Sequence, residues 1–353
     1  MVQQIDMNKV EELAGKVIGD VAGAMSLFMA FLGDKAGVFD KLDGQGRVSL
    51  EKAAELTGLN PKYLHQWLGS VCAAGYITFH AQDETFEVTP EQALIMGREG
   101  QPACMQGFIE LVVAQYAAHE KAAETFKSGE GRGWDQHLPC CFSGIDRFFR
   151  PGYEANLVAE WIPALQGVEQ KLKDGASIVD IGCGHGSSSI LMAKSYPNST
   201  VYGIDFHEPS IEVARQKAKD AGVDNVRFDV ARAQDYAGEG YDFACIFDAL
   251  HDMGDPVGAA SHIRKTLKDD GTLMLVEPMA GDSMAENMHP LGQIFYAGST
   301  LMCTPASLAQ EVGLGLGAQA GQARLTEVLG EAGFGNVKRS AETATNMVLE
   351  VTA

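Results

Sequence analysis

The sequence lacks the cysteine patterns of a disulfide framework or a zinc ribbon. Its seven cysteines are an odd number, and no C-x-x-C pair occurs among them. Cys140 and Cys141 are adjacent and cannot easily bond to each other. Disulfide-built domains and zinc sites need paired or regularly spaced cysteines. The thiols are therefore predicted to be free in a reducing compartment, and the protein is predicted to be cytoplasmic.

The sequence also lacks a recognisable leader and a long apolar run. The first residues include acidic side chains, without the ordered basic, apolar and cleavage regions of a secretory signal. The most apolar run, residues 21–32, is shorter than the about 20 residues that cross a bilayer. We therefore expect no export signal and no membrane partner.

Positive charge is scarce. The chain has 27 Lys and Arg against 47 Asp and Glu, and its formal net charge at pH 7 is -20. A surface with this balance repels the phosphates of nucleic acids and of anionic membranes. Nucleic acid is therefore not expected as a partner or a substrate.

The chain is long enough for two domains. At 353 residues it exceeds the usual size of a single domain. We expect an N-terminal domain at residues 1–100, a helical linker at 101–170 and a C-terminal domain at 171–353. A loop with three glycines interrupts the linker near Trp134, and the aromatic run at 147–153 follows it. These aromatic residues either line a pocket or pack between the domains.

The N-terminal residues 8–32 have helical spacing of apolar side chains, and residues 22–32 are apolar on nearly all sides. A helix that is apolar all round requires burial all round. The helix either packs against a second subunit or is buried within its own chain. We expect the first arrangement, a homodimer formed through the N-terminal helices.

Residues 34–90 resemble a winged helix-turn-helix. The candidate recognition helix, residues 62–74, offers only Lys62 and His65 as basic side chains, and the wing at 77–88 is acidic. Recognition of DNA needs a basic helix. A structural or dimerisation role is therefore favoured over a DNA-binding regulator. The predicted elements are helices at 34–42, 50–57 and 62–74, and strands at 47–49, 77–80 and 85–88.

From residue 171 onward, apolar strands alternate with helices. This alternation is typical of a parallel sheet that is covered on both faces. The predicted strands are 177–181, 200–204, 226–230, 241–247 and 271–276, with a final pair at 337–339 and 345–351. The predicted helices are 188–195, 210–221, 256–267 and 325–332.

Three glycines follow the first strand of this region, and a helix starts directly after them. Gly182, Gly184 and Gly186 let the backbone bend sharply and approach a ligand, and the helix N-terminus offers free N–H groups. Asp205 ends the next strand, where its carboxylate can accept bonds from both ribose hydroxyls. The spacing is G-x-G-x-G, with Ser187 in place of the last glycine of the dinucleotide motif. A nicotinamide dinucleotide and S-adenosylmethionine both remain open on these residues alone.

Taken together, the motifs resemble those of class I S-adenosylmethionine-dependent methyltransferases. Residues 180–186 (DIGCGHG) are similar to the first motif of that family, and residues 202–205 (YGID) to its second-strand acidic position. Residues 247–252 (FDALHD) and 271–278 (GTLMLVEP) correspond to its fourth and fifth strands. With the winged-helix front end, the whole chain looks closest to bacterial small-molecule O-methyltransferases.

The resemblance implies a fold and a function. The fold is α/β: a Rossmann-like, seven-stranded, mostly parallel sheet with an antiparallel last strand, preceded by an α-rich winged-helix domain. The linker at 101–170 would help to cover the active site. The implied activity is methyl transfer from S-adenosylmethionine to a hydroxyl of a small aromatic or apolar metabolite. The alternatives are an N- or C-methyltransferase, a regulator that binds the cofactor without catalysis, and a nicotinamide oxidoreductase.

The resemblance also implies the cofactor contacts. Asp205 would bind the ribose, with Phe206 beside the adenine. At the position where the family usually has an Asp for the adenine amino group, this chain has Arg232, whose guanidinium cannot accept a hydrogen bond. Arg232 could stack on the ring, or Asp235 could replace it, and the Ala233 N–H can still bond the ring. The full implied set is Asp180, Gly182, Gly184, Gly186, Asp205, Phe206, Arg232, Ala233, Phe247 and Asp248.

The catalytic residues implied by the resemblance are His251, Asp252 and Glu277. The ordinary pKa of histidine, about 6.5, suits a general base near neutral pH. His251 is therefore the expected base, and Glu277 would orient it. Asp248, Asp252 and Asp255 could instead hold a divalent metal, but such residues also suit a helix N-terminus, and no metal is expected.

Overall fold

A computed structural model describes residues 5–353 and divides them into two compact units. The first unit holds the chain up to residue 117 together with residues 143–151. The second holds residues 118–142 and 152–353. The predicted linker at 101–170 is thus divided between the two units.

The first unit is helical, with a two-stranded wing. Strands β1 (Thr78–His80) and β2 (Thr85–Glu87) pair antiparallel, with Phe79 opposite Phe86. The side chains of Asn60 and Ser49 cap two of the helices. The helices are α1 (Met7–Lys35), α2 (Val38–Leu42), α3 (Leu50–Thr57), α4 (Pro61–Ala73), α5 (Pro90–Met96) and α6 (Gln106–Ala117).

Two predicted elements of this unit are corrected. The helix expected at 34–42 is split, because α1 ends at Lys35 and Gly37 takes a left-handed backbone before α2. The strand expected at 47–49 is a single bridge, in which Val48 exchanges both backbone hydrogen bonds with Phe86. It extends no further because the Ser49 hydroxyl turns to accept the N–H of Lys52 and begins α3.

Helix α1 is long and mostly exposed. By length and composition alone it could cross a membrane, and only 11% of its most apolar window is buried. The prediction from residues 21–32 alone, that the segment is too short, therefore does not hold for the whole helix. Its exposed apolar side chains are Met7, Val10, Leu13, Val17, Ile18, Val21, Met25, Phe28 and Leu32.

An ionic cluster lies in the first unit beside its apolar core. Arg147 contacts Asp34 at 2.8 Å, Glu99 at 2.8 Å and Glu110 at 2.5 Å. Glu110 is almost fully buried, and it also accepts a hydrogen bond from the Lys35 ammonium at 2.6 Å. A buried carboxylate requires such partners, because an unpaired one would carry a large desolvation cost.

The second unit is built on a seven-stranded sheet. The strand order is β5-β4-β3-β6-β7-β9-β8, in which the first five strands run parallel. Strand β9 runs antiparallel to both of its neighbours, as predicted for the last strand. The strands are β3 (Ser177–Ile181), β4 (Thr200–Asp205), β5 (Val226–Val230), β6 (Tyr241–Phe247), β7 (Leu267–Pro278), β8 (Asn336–Glu342) and β9 (Asn346–Thr352).

Apolar residues on both faces bury this sheet. Ile181, Ile204 and Ile246 belong to the core cluster on one face, while Ile178 and Cys245 belong to the cluster on the other. Side chains of a strand point alternately to opposite faces, so a strand buried on both sides is apolar throughout. The remaining helices are α7 (His119–Ser128), α8 (Pro139–Asn156), α9 (Val168–Asp174), α10 (Ser187–Ser195), α11 (Glu208–Ala221), α12 (Pro256–Thr266), α13 (Pro290–Gly298), α14 (Thr304–Leu308) and α15 (Gly321–Glu331).

Candidate active site

The glycine turn connects β3 to α10, at the carboxyl end of the central strands. Gly184 has φ +51°, and a Cβ placed on it would project into open space. Gly186 has φ +75°, and a Cβ there would lie 2.7 Å from the Phe228 ring. Gly182 also has positive φ. The turn thus packs closely against Phe228 at Gly186 and is open at Gly184. A ligand cradle requires this combination.

Asp180 lies behind this turn and is fully buried. One of its carboxylate oxygens accepts the hydroxyls of Ser188 and Ser189, at 2.7 and 2.5 Å, in the first turn of α10. The other oxygen has no hydrogen-bond partner among the described residues. Burial raises the pKa of Asp180 to about 6. Its contacts are those of a residue that fixes the turn, and its direct contact with a cofactor stays a prediction.

Asp205 lies beside the turn, at the end of β4. One carboxylate oxygen accepts the Gly184 N–H at 3.0 Å, and the other accepts the His207 N–H at 2.8 Å. A carboxylate has further lone pairs available, so both oxygens can still accept a hydroxyl. Burial raises the pKa of Asp205 above its usual value, against the effect of these backbone bonds. The predicted ribose-binding residue is therefore already oriented by the turn itself.

The residues predicted to surround an adenine ring differ in how far they are open to a ligand. Phe206 follows Asp205 and is about half exposed, so its ring face can receive a ligand. The Arg232 guanidinium binds the Asp235 carboxylate at 2.7 Å on the surface. Both hydrogen bonds from Arg232 reach the same Asp235 oxygen, so Asp235 can still accept a bond from a ligand. Asp235 as the substitute acceptor and Ala233 as the backbone donor stay predictions.

Phe247 and Asp248 end strand β6. Phe247 is buried, and its ring packs against Tyr153 and Trp161. Any cofactor contact at this residue would therefore come from its backbone. Asp248 has φ +48°, an uncommon conformation for a residue other than glycine, and it accepts a hydrogen bond from Asn346 at 2.7 Å. Burial raises the pKa of Asp248 well above its usual value.

His251 and Glu277 form a buried pair at the carboxyl ends of β6 and β7. The His251 Nδ1 lies 2.5 Å from the Glu277 carboxylate. The other Glu277 oxygen accepts the backbone N–H of Leu250 at 3.1 Å, which fixes the carboxylate in place. The bond from Nδ1 sets the orientation of the ring and leaves Nε2 as the second functional nitrogen. The sequence predicted this pair.

Asp252 faces the Nε2 atom of His251, and the Cys303 thiol lies within 4.8 Å of a ring nitrogen of the same histidine. The Asp252 Oδ1 lies 3.3 Å from Nε2 and makes no hydrogen bond within the described chain. Burial alone would lower the pKa of His251, but the carboxylates of Glu277 and Asp252 outweigh it and raise that pKa well above 6.5. Sequence reasoning missed Cys303, because it follows β7 by 25 positions and matches no motif.

In the structure, Asp255 does not join the alternative metal set of Asp248, Asp252 and Asp255. Asp255 accepts the Gly258 N–H at 2.7 Å and caps α12, which is a structural role. Potential ligand atoms of His251, Asp252 and Cys303 lie within 4.8 Å of one another, a spacing that one ion could bridge.

Comparisons with known proteins match two parts of the chain to family models. Residues 172–333 match the family model of a methyltransferase domain, and residues 23–98 match that of an Rv2258c-like winged HTH domain. A demethylmenaquinone methyltransferase from Listeria welshimeri is 27% identical over 130 residues, 36% of this chain and 53% of that protein. The chain thus matches about half the length of such curated relatives.

Solved structures match over nearly the whole chain. The mitomycin 7-O-methyltransferase MmcR is 18% identical, with a TM-score of 0.72 over 98% of this chain and 100% of that one. Human N-acetylserotonin methyltransferase, crystallised with S-adenosylmethionine, is 15% identical, with a TM-score of 0.71 over 100% and 99%. These likenesses confirm the predicted fold. The chain therefore has a methyltransferase domain at residues 172–333, preceded by a winged helix-turn-helix domain at residues 23–98, in the fold of S-adenosylmethionine-dependent small-molecule O-methyltransferases.

Proposed function

We propose that the protein is an S-adenosylmethionine-dependent methyltransferase that methylates a hydroxyl of a small aromatic or apolar molecule. The buried His251–Glu277 pair is the observation that carries this proposal. It lies at the carboxyl end of the same sheet as the glycine turn and Asp205. In open α/β sheets, ligands bind at this edge of the strands.

The residues present fit the cofactor. The open space above Gly184 would hold its methionine part, the Asp205 carboxylate its ribose, and the Phe206 ring its adenine. Bound S-adenosylmethionine supplies a methyl group attached to a sulfonium sulfur. When the methyl group is transferred, the remainder of the cofactor leaves as a neutral thioether. The protein therefore has to align the acceptor and remove its proton.

His251 would remove that proton. Glu277 holds the ring through Nδ1, so Nε2 is the atom that takes the proton from the acceptor hydroxyl. Asp252, 3.3 Å from Nε2, would stabilise the imidazolium that forms. Neither carboxylate needs to change its own protonation during the transfer.

Transfer of a labelled methyl group tests this function. The purified protein is incubated with methyl-labelled S-adenosylmethionine and a panel of phenols, including phenolic acids and their amides. We expect label in at least one phenol as its methyl ether. Calorimetric binding of a nicotinamide dinucleotide, with none of S-adenosylmethionine, would contradict the proposal and favour an oxidoreductase. Label on a nitrogen or a carbon would keep the cofactor and correct the acceptor.

We further propose that α1 pairs with α1 of a second copy in a homodimer. Nine large apolar side chains of this helix are 40–70% exposed in the single chain, more than a monomer ordinarily leaves uncovered on one element. The alternative occupant is a membrane. Light scattering should report a dimer, and V17E with I18E should give a monomer, while exposed Tyr63→Glu on α4 should not. A monomeric wild type that floats with lipid vesicles would favour the membrane.

We do not expect the winged helix to bind DNA. The one arginine near the wing, Arg47, lies 3.7 Å from Asp83 and 4.0 Å from Glu87, so its charge is offset. A gel-shift assay with genomic fragments at moderate salt should show no specific retention; specific retention would favour the regulator. We also propose a cytoplasmic location, on the cysteine pattern of the sequence.

A further inference from the structure

A buried arginine without an acidic partner lies in the second unit, between α7 and the short helix Trp134–Gln136. Arg132 is only 2% exposed. Its Nη2 donates to the Gln136 carbonyl at 3.0 Å, but its Nε and Nη1 have no hydrogen-bond partner among residues 5–353. No carboxylate of the described chain lies within ion-pair distance of it. Buried guanidinium groups are almost always paired, so these free donors require an explanation.

A second unpartnered nitrogen lies close to this arginine. His137 is buried, and its Nε2 makes no hydrogen bond within the described chain. Burial, together with the nearby positive charge of Arg132, lowers the pKa of His137 to about 4. The imidazole is therefore neutral at pH 7, and its Nε2 can donate or accept one hydrogen bond. The Trp134 ring packs against the ring of His137, with centroids 5.6 Å apart.

The segment that carries Arg132 is anchored beside the proposed reaction site. The Arg132 N–H donates to the Pro305 carbonyl at 2.9 Å. The preceding Gly131 packs so closely that a Cβ there would lie 2.1 Å from the Ala309 nitrogen. Pro305 comes two positions after Cys303, whose thiol lies within 4.8 Å of a ring nitrogen of His251. The backbone of Arg132 is thus bonded to the segment that carries Cys303, which lies beside the proposed base.

We propose that Arg132, assisted by His137, binds a carboxylate of the methyl acceptor, so that the natural substrates are hydroxy acids with an aromatic or apolar body. This inference rests on the proposed function of the site. A guanidinium fork matches a carboxylate in shape and charge, and Trp134 supplies an aromatic surface beside it. The net charge of -20 does not attract an anion to the protein as a whole. Recognition of a substrate carboxylate therefore depends on the local positive charge of Arg132.

The methionine part of the cofactor also carries a carboxylate, which is the competing ligand for Arg132. Measuring acceptor binding to protein already loaded with S-adenosylhomocysteine distinguishes the two ligands. The probes are 4-hydroxybenzoate, 4-hydroxyphenylacetate and 4-hydroxycinnamate, each compared with its primary amide by calorimetry. We expect at least one acid to bind about 10- to 100-fold more tightly than its amide, as for a charged hydrogen bond.

Variants connect this preference to Arg132. Arg132→Met should abolish the difference between acid and amide and leave S-adenosylhomocysteine affinity unchanged. Arg132→Lys, which keeps the charge but loses the fork, should retain part of it. The surface variant Arg324→Met, in a pair with Glu327, should retain all of it. Without ligand, Arg132→Met should unfold at the same or a higher temperature, because it removes a buried unpaired charge; a purely structural arginine would give a lower one.

The outcomes separate this inference from the proposed function. Equal binding of acids and amides, or binding of none of the acids, overturns the inference. Loss of S-adenosylhomocysteine affinity in Arg132→Met also overturns it and assigns the arginine to the cofactor. Acid binding that depends on Arg132, without methyl transfer to any probe, keeps the inference for the site and overturns the proposed function.

Discussion

The protonation of His251 determines when the proposed base can act. Burial lowers its pKa, but the carboxylates of Glu277 and Asp252 outweigh burial and raise the pKa well above 6.5, which favours the protonated imidazole. A base has to be neutral, so kcat/KM should rise with pH through this raised pKa. We expect the acid limb of the pH profile above pH 6.5, and a shift to lower pH in Glu277→Gln. An acid limb below 6.5 in the wild type would contradict the assignment.

Gly184 tests the cofactor cradle. Gly184→Ala places a methyl group in the open space above the turn, at φ +51°. We expect roughly tenfold or greater loss of S-adenosylhomocysteine affinity, with a stability cost of about 1–2 kcal/mol from the left-handed backbone.

The matched control for this variant is Gly222→Ala. Gly222 ends α11 with φ +65°, and a Cβ there also meets nothing within 4 Å. Gly222→Ala should lose similar stability, as measured by urea unfolding. It should keep the wild-type affinity for S-adenosylhomocysteine, as measured by calorimetry. Equal affinity losses in both variants would show that backbone strain, and not the cradle, causes the effect.

Sequence patterns predict some candidate site residues and not others, and the roles given to them stay predictions. Gly182, Asp205, His251 and Glu277 lie at or just after strand ends, where the motif and the sheet edge specify one position. Arg132 could not be predicted, because its burial depends on a backbone bond to Pro305, far along the chain.

At the scale of elements, the ionic cluster around Arg147 should stabilise the first unit. Arg147→Met leaves buried Glu110 with the Lys35 ammonium and without its guanidinium. We expect a loss of about 3 kcal/mol in the free energy of unfolding, as measured in urea. Arg98→Met, which breaks an exposed pair with Asp43, should cost less than about 1 kcal/mol. Similar losses for both would contradict the assigned role of the cluster.

Strands were predicted more closely than the helices at the N-terminus. Strand β3 and strand β6 have the predicted ends, because continuous apolar runs bounded by polar residues leave little choice. The break between α1 and α2 was missed, since the apolar pattern of residues 34–42 continues across Gly37. Val48 was assigned to a strand on local pattern, while the cap at Ser49 ends the pairing.

At the scale of the molecule, alternating strands and helices predicted the sheet and its antiparallel last strand. The assignment of residues 118–142 to the second unit was not predicted. It results from contacts distant in sequence, such as the packing of Gly131 on Ala309, and no local pattern encodes these.

The methyl transfer should not depend on a metal, even though His251, Asp252 and Cys303 lie close together. Displacement at a sulfonium needs alignment of the acceptor and a base, and neither requires a metal ion. Dialysis against EDTA, followed by metal analysis, should leave the rate unchanged. Loss of activity with recovery on adding a divalent ion would instead assign these residues to a metal.

The most direct test of the central claim is single-turnover methyl transfer by His251→Gln. With labelled S-adenosylmethionine saturating, we expect the rate to fall on the order of 10²–10⁴-fold, the usual contribution of a general base. Binding of S-adenosylhomocysteine should stay unchanged. His262→Gln, which loses a bond to the Tyr236 carbonyl and a ring contact with Tyr236, should transfer at the wild-type rate. An unchanged rate in His251→Gln would remove this histidine from the reaction.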